Sequence, residues 1–137
     1  MNVLDATRAW LRENCPHIDK RDRFNANYIG AEPVAYTLRI ASEDHVYDVL
    51  GFDQATVHLV FVAQLPYGKE KELNLSAADF FARLSAWLRG QERAHNYPQV
   101  SGYTVTRLTA SNAGQVTQAM ADMARYQLQI KIEMEEM

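Results

Sequence analysis

Four histidines, His17, His45, His58 and His95, and a single cysteine, Cys15, are the side chains of this sequence best suited to hold a metal or move a proton. Zinc centres draw such ligands from pairs a few residues apart, and only Cys15 and His17 lie that close, with nothing to complete a set. Asp44 precedes His45 in what reads as a turn, but no serine or cysteine has a placed relation to that pair, as a nucleophile, base and orienting acid require. Gly68-Lys69 resembles the end of a phosphate loop, yet Ala63 occupies the position of the loop's first glycine, and no glycine-rich dinucleotide motif occurs. Lys20, Arg21 and Arg23 are interleaved with Asp19 and Asp22, the pattern of a solvated loop rather than a phosphate site. The residue chemistry therefore predicts no catalytic site, no cofactor and no metal.

Length and composition bound what else the chain can be. The 137 residues predict a single domain, 1–137, long enough to bury roughly two thirds of its unfolded surface. An apolar fraction of 47% and a charged fraction of 23% are ordinary for a globular protein. A net charge of -3 gives no general attraction to nucleic acid or to an anionic membrane. One cysteine allows no internal disulfide. Asp5, Arg8, Arg12 and Glu13 interrupt the apolar run a signal peptide needs, and no window reaches the ~18 apolar residues of a membrane span. A protein made in the cytoplasm is expected, which leaves the sequon Asn74-Leu75-Ser76 a chance match.

The elements follow from hydrophobic period. Residues 2–14 predict a helix with Val3, Leu4, Ala6, Trp10 and Leu11 on one arc, stopped by Pro16. Ile18 to Pro33 reads as a connector with a short strand around Asn27 to Ile29. Val34 to Ile40 alternates as a strand, Ser42-Glu43-Asp44 supplies turn residues, and Val46 to Leu50 is expected to return as its partner. Thr56 to Leu65 predicts a central strand, because Val60 and Val62 add apolar residues to its second face. Pro66 to Leu73 reads as an exposed loop, with Ser76 as N-cap of a helix whose face is Ala77, Phe80, Phe81, Leu84, Trp87 and Leu88. That helix is expected to fray from Gly90 and to end before Pro98. Helical phasing assigns Trp10, Phe80, Phe81 and Trp87 to the core rather than to stacking on bases.

Tyr103 to Leu108 predicts a fourth strand, and Ala110 to Ala121 is a loop or a helical turn or two. The chain closes on its clearest signal: Tyr126, Leu128, Ile130, Ile132 and Met134 alternate with Arg125, Gln127, Gln129, Lys131 and Glu133. The fold class expected is α+β, a mainly antiparallel sheet of four to five strands with two main helices packed on one face. The second face of the last strand, Gln127, Gln129, Lys131 and Glu133, is expected to be open and is the candidate oligomer or partner interface. His58 shares the polar side of its own strand, facing solvent or a partner.

Several segments in order carry a family likeness: Ala9-Trp10-Leu11 running into Cys15-Pro16, Tyr28-Ile29-Gly30, Val46-Tyr47 leading to Gly51, and an apolar strand reaching Tyr67. Phe80-Phe81 to Trp87-Leu88 with Gln91 and Asn96-Tyr97-Pro98 follows, and then Ala124-Arg125-Tyr126-Gln127-Leu128-Gln129-Ile130. Together they resemble the tail-terminator and minor-capsid (tail-completion) proteins of long-tailed bacteriophages. The resemblance implies a structural virion subunit without enzymatic activity. It also implies assembly into a homo-oligomeric ring, a hexamer, at the head-proximal end of the tail tube. Its partners would be itself, the tail-tube subunit and head-connector proteins, with no nucleic-acid sequence recognition and no membrane, in a virion tail made in a bacterial cytoplasm. Trp10, Trp87 and Tyr126 match family-like positions with structural roles. The ending Met134-Glu135-Glu136-Met137 departs from the aromatic close common in the family. The rival reading is a small α+β enzyme or ligand-binding module with a pocket between helix and sheet, which a large polar pocket holding a histidine–carboxylate pair would favour. Elemental analysis of the purified protein is expected to show no stoichiometric metal, and zinc or manganese at one ion per chain would overturn the reading of these residues.

Overall fold

The computed structural model describes residues 2–18, 23–26, 35–66, 71–119 and 123–137. Two helices and five strands lie within them, in the order α1 (Val3–Asn14), β1 (Arg23–Ala26), β2 (Ala35–Tyr47), β3 (Asp53–Pro66), α2 (Lys71–Ala94), β4 (Tyr103–Ala119) and β5 (Met123–Glu136). The strands form one sheet in the order β1-β2-β3-β5-β4. Only β1, at the edge, runs parallel to its neighbour; the other pairs are antiparallel. This is the α+β class that the periodicities predict, with β3 central.

Alternation gives the sheet two unlike faces. Ala55, Val57, Leu59, Phe61, Ala63 and Leu65 of β3 are buried, and their cross-strand partners Met134, Ile132, Ile130, Leu128, Tyr126 and Ala124 are buried beside them. Both helices cover this face. The Phe61 ring meets Phe24, Tyr36 and Phe81 at centroid distances of 5.7, 5.7 and 6.5 Å. Phe81 meets Tyr126 at 5.7 Å, and Trp10 of α1 packs on Trp87 of α2 at 5.0 Å. The aromatic residues of the helices are thus core residues, each large one worth roughly 1.5–3 kcal/mol of burial.

Local chemistry sets the helix ends. The Asn2 side chain accepts the Asp5 N–H at 2.9 Å as N-cap of α1, and Cys15 turns extended before Pro16. α2 ends at His95, which takes the left-handed conformation (φ 54°) usually left to glycine. Its N–H bonds to the Glu92 carbonyl at 3.1 Å and the Asn96 N–H to the Gln91 carbonyl at 3.0 Å, the paired closure of a Schellman motif.

The structure corrects three expectations. β2 does not turn at Ser42-Glu43-Asp44: it absorbs Ala41 as a bulge and runs on to Tyr47, so the reversal comes at Asp48–Phe52. α2 begins at Lys71, not after Ser76, and passes through Gly90 to Ala94. Lys71, Glu72 and Leu73 are good helix formers, and that propensity outweighs the alternation of charge that reads as a loop. Ala110 to Ala119 is neither loop nor helix but the continuation of β4. Its register slips between Ser111 and Gln115, so Asn112 to Gly114 serve a bulge rather than a chain reversal. The strand expected around Asn27 to Ile29, the loop residues Asp19 to Asp22, and Gly68-Lys69 lie outside the described residues.

Ile130, 1% exposed, sits in the same apolar layer as Leu84, whereas Lys131 points to the other face. Ile130→Ala is expected to lower unfolding free energy by about 2–5 kcal/mol and Lys131→Ala by less than about 0.5 kcal/mol. Urea midpoints for the two variants check this; equal midpoints would mean that β5 is registered differently.

Candidate interaction surfaces

The corrected position of the β2–β3 reversal puts an unexpected surface on the molecule. The Asp48 carboxylate accepts from the Leu50 N–H at 2.9 Å and the Phe52 N–H at 3.0 Å, while the Gly51 N–H returns to the Asp48 carbonyl at 3.0 Å. Gly51 takes φ 86°, which a side chain would resist. An aspartate opening the loop and a left-handed glycine closing it make a three-residue hairpin connection. The geometry turns the central residues outward. Val49 is 102% exposed and Leu50 79%, flanked by Val46 at 65% and Tyr47 at 69%.

A polar network fastens the root of this hairpin. His45 Nδ1 lies 2.7 Å from Asp53 Oδ2, the Tyr103 hydroxyl donates to the same oxygen at 2.7 Å, and His45 Nε2 is 3.5 Å from Glu43. Asp53 is buried, so β2, β3 and β4 are tied at one point. The Tyr103 hydrogen bond, and after it that of His45, holds the Asp53 carboxyl below its ordinary 3.8. Asp53, and next Glu43, raises His45 above its ordinary 6.5. Tyr103 is pushed up to about 12, chiefly by donating to Asp53. An imidazole held between two carboxylates serves as an anchor; its second nitrogen meets Glu43, where a catalytic base would meet a nucleophile.

The sequence-predicted interface is less uniform than expected. Gln129 is exposed, while Gln127, Lys131 and Glu133 are half-buried. Lys131 Nζ lies 3.7 Å from Glu133, which also faces Arg107 Nε at 3.9 Å. Toward Arg125 the same face closes: Thr37, Val60 and Gln64 on it are buried, and Arg125 Nε donates to Gln64 at 3.1 Å. The face expected to be open is open around Gln129, Lys131 and Glu133 and closed toward Arg125. His58, opposite Lys131, is half-buried on it.

Two depressions matter. One, about 450 Å³, is lined by residues including His95, Tyr97, Gly102, Tyr103 and Met137. The other, about 340 Å³, lies between α2 and β4, on Leu88, Leu108 and Ala110 with Arg89, Arg93 and Arg107 around them. Between the two, Glu92 accepts the Leu108 N–H at 2.9 Å and the Tyr97 hydroxyl at 2.7 Å. Burial first, and then Glu92, pushes Tyr97 up to about 12. The His45–Asp53 pair lines neither depression.

Among the described residues no group of three histidine, cysteine or acidic side chains is arranged to hold a metal ion, and no helix is long and apolar enough to cross a membrane. Cys15 is buried, with its thiol pushed up by that burial. No model of a known protein family matches the chain, and no curated protein sequence does.

The hairpin was missed in the sequence because Val46 to Leu50 is apolar enough to read as a strand. The available signal was Asp48 followed by Gly51, the pair that closes the turn.

The root network makes hairpin order depend on pH. A raised His45 stabilises fully below about 6.5 and loses that contribution as pH rises through its folded value; a lowered Asp53 contributes above about 3.8 and loses it as pH falls through its folded value. Hydrogen-exchange protection of the Gly51 amide, corrected for intrinsic rate, is expected to be greatest between these limits. His45→Gln should abolish the fall on the alkaline side; an unchanged profile would remove His45 from the hairpin's support.

Proposed function

We propose that this protein is a structural subunit that works by self-association, a tail-terminator-like component of a long-tailed phage or prophage. In this reading it closes into a ring, a hexamer by family resemblance, at the head-proximal end of the tail tube. There it stops tube growth and meets the head connector, without catalysis, cofactor or metal. The observation that carries the reading is the β2–β3 hairpin, whose turn chemistry holds Val49 and Leu50 in water beside Val46 and Tyr47. Contiguous exposed apolar side chains of this kind mark association surfaces. The antiparallel sheet with both helices on one face supports it too, since the second face remains open around Gln129, Lys131 and Glu133.

The rival, a small enzyme or ligand-binding module, has the His45–Asp53 pair on its side. That pair lines neither depression, reaching the larger one only through Tyr103, and both of its partners, Glu43 and Tyr103, already engage it, which favours support over chemistry.

Replacing Gln129→Glu and Lys131→Glu together sets like charges beside Glu133 on the open part of the face. The monomer is expected to keep its circular dichroism spectrum, while the oligomer shifts toward monomer and loses the ability to cap purified tail tubes. Native mass measurement and tube-length counts read this out. Unchanged mass and capping would make that face plain solvent surface. A wild-type protein that stays monomeric, alone and with tubes, would overturn the ring reading itself.

A further inference from the structure

The hairpin tip and the α2–β4 groove are opposite in shape and in charge. The tip is a protruding apolar knob on an acidic stem: Glu43, Asp44 and Asp48 lie between Ser42 and Phe52, against which His45 is the sole titratable base, while Asp53 is buried at the root. The groove is an apolar hollow with a basic rim, floored by buried Leu88 and Leu108 with half-buried Ala110. Arg89 and Arg93 rise from α2 and Arg107 from β4, all exposed, with Arg107 Nε also 3.9 Å from Glu133. Glu92, the acid in the groove lining, is already engaged by the Leu108 N–H and Tyr97. A volume of about 340 Å³ suits a few apolar side chains better than a large ligand.

The knob and the hollow of one molecule do not meet. β5 lies between β3 and β4, and the row Val57–Ile132–Leu108 passes under the groove, whereas the turn begins beyond Asp53. The separation is about 10 Å across the strands and at least about 13 Å along them.

We propose that the knob of one copy of this chain seats in the α2–β4 groove of the next. Val49 and Leu50 enter the hollow, and the acidic stem faces Arg89, Arg93 and Arg107. Opposite charge steers the encounter, and apolar burial holds it. Because the two surfaces differ, the contact is heterologous and repeats head to tail, closing into a ring when the rotation allows. This rests on the ring reading above and assigns it a contact in addition to the open sheet face.

Two variants test it. Val49→Ser with Leu50→Ser alters only the knob, at side chains that touch solvent; Arg89→Glu with Arg93→Glu alters only the groove rim. Each alone is expected to be folded by circular dichroism and to raise the self-association constant for dissociation by about tenfold or more, read by analytical ultracentrifugation. Mixed in equal amounts, they should form a heterodimer, because the first keeps a sound groove and the second a sound knob. A folded knob or groove variant that retains the wild-type mass overturns the proposal while leaving the ring reading intact. Mixing that yields no heterodimer likewise overturns it. A monomeric wild type, alone and with tail tubes, overturns both.

Discussion

The pairing of β3 with β5 is the constraint on which the rest of the molecule depends. It runs from Gln54 opposite Glu135 to Pro66 opposite Met123 with no register shift. A slip of one residue would turn every apolar side chain of β5 away from the helices and put Gln127, Gln129 and Lys131 into the core. Irregularity is confined to the flanks: β2 is bulged at Ala41, and β4 shifts register at three places. The regular centre lets Phe61 and Tyr126 stand at fixed positions for Phe81, and the helices are placed from there.

At the hairpin, two levels of the sequence disagree. Asp48 and Gly51 suit the turn, and His45, Asp53 and Tyr103 tie its root to three strands. Yet the residues lifted to its crown are Val49 and Leu50, where polar side chains would serve the turn equally well and cost nothing in water. Local rules are broken in this way where a surface serves something outside the fold. The rigid root matters for the same reason. A knob ordered before contact loses less conformational freedom on seating than a mobile loop would.

What the sequence made legible follows the strength of period and packing. β5, β3, α1 and the apolar face of α2 were readable because their side chains repeat at the spacing of the element and are buried as that repeat demands. Strand continuity was not. Ser42-Glu43-Asp44 and Ser111 to Gly114 carry turn residues, but neighbouring strands held the backbone extended and a bulge absorbed the excess. The interface residues were half legible. Alternation placed Gln127, Gln129, Lys131 and Glu133 on one face, but it could not show that the end near Arg125 is closed by Gln64 and Thr37. The His45–Asp53–Tyr103 network was illegible, since it joins residues 50 positions apart through a register that no local pattern fixes.

The free edge of β4 bears on how such a subunit can assemble without running on. An unpaired strand edge invites another strand, and a subunit of the proposed ring must not extend through its own sheet. Here the outward Leu108 N–H is taken by Glu92 at 2.9 Å, and the Thr106 carbonyl lies 3.3 Å from the Tyr97 hydroxyl. Those two groups lie on the same side of the strand, so two side chains occupy the ladder positions an incoming strand would need. Glu92 therefore has a double effect: it obstructs strand addition at Thr106–Leu108, and by being engaged there it leaves Arg89 and Arg93, beside Arg107, as the groove's outward charges. Strand pairing is thus obstructed beside the groove in which the proposed knob would seat, and that heterologous contact would close into a ring where its rotation allows.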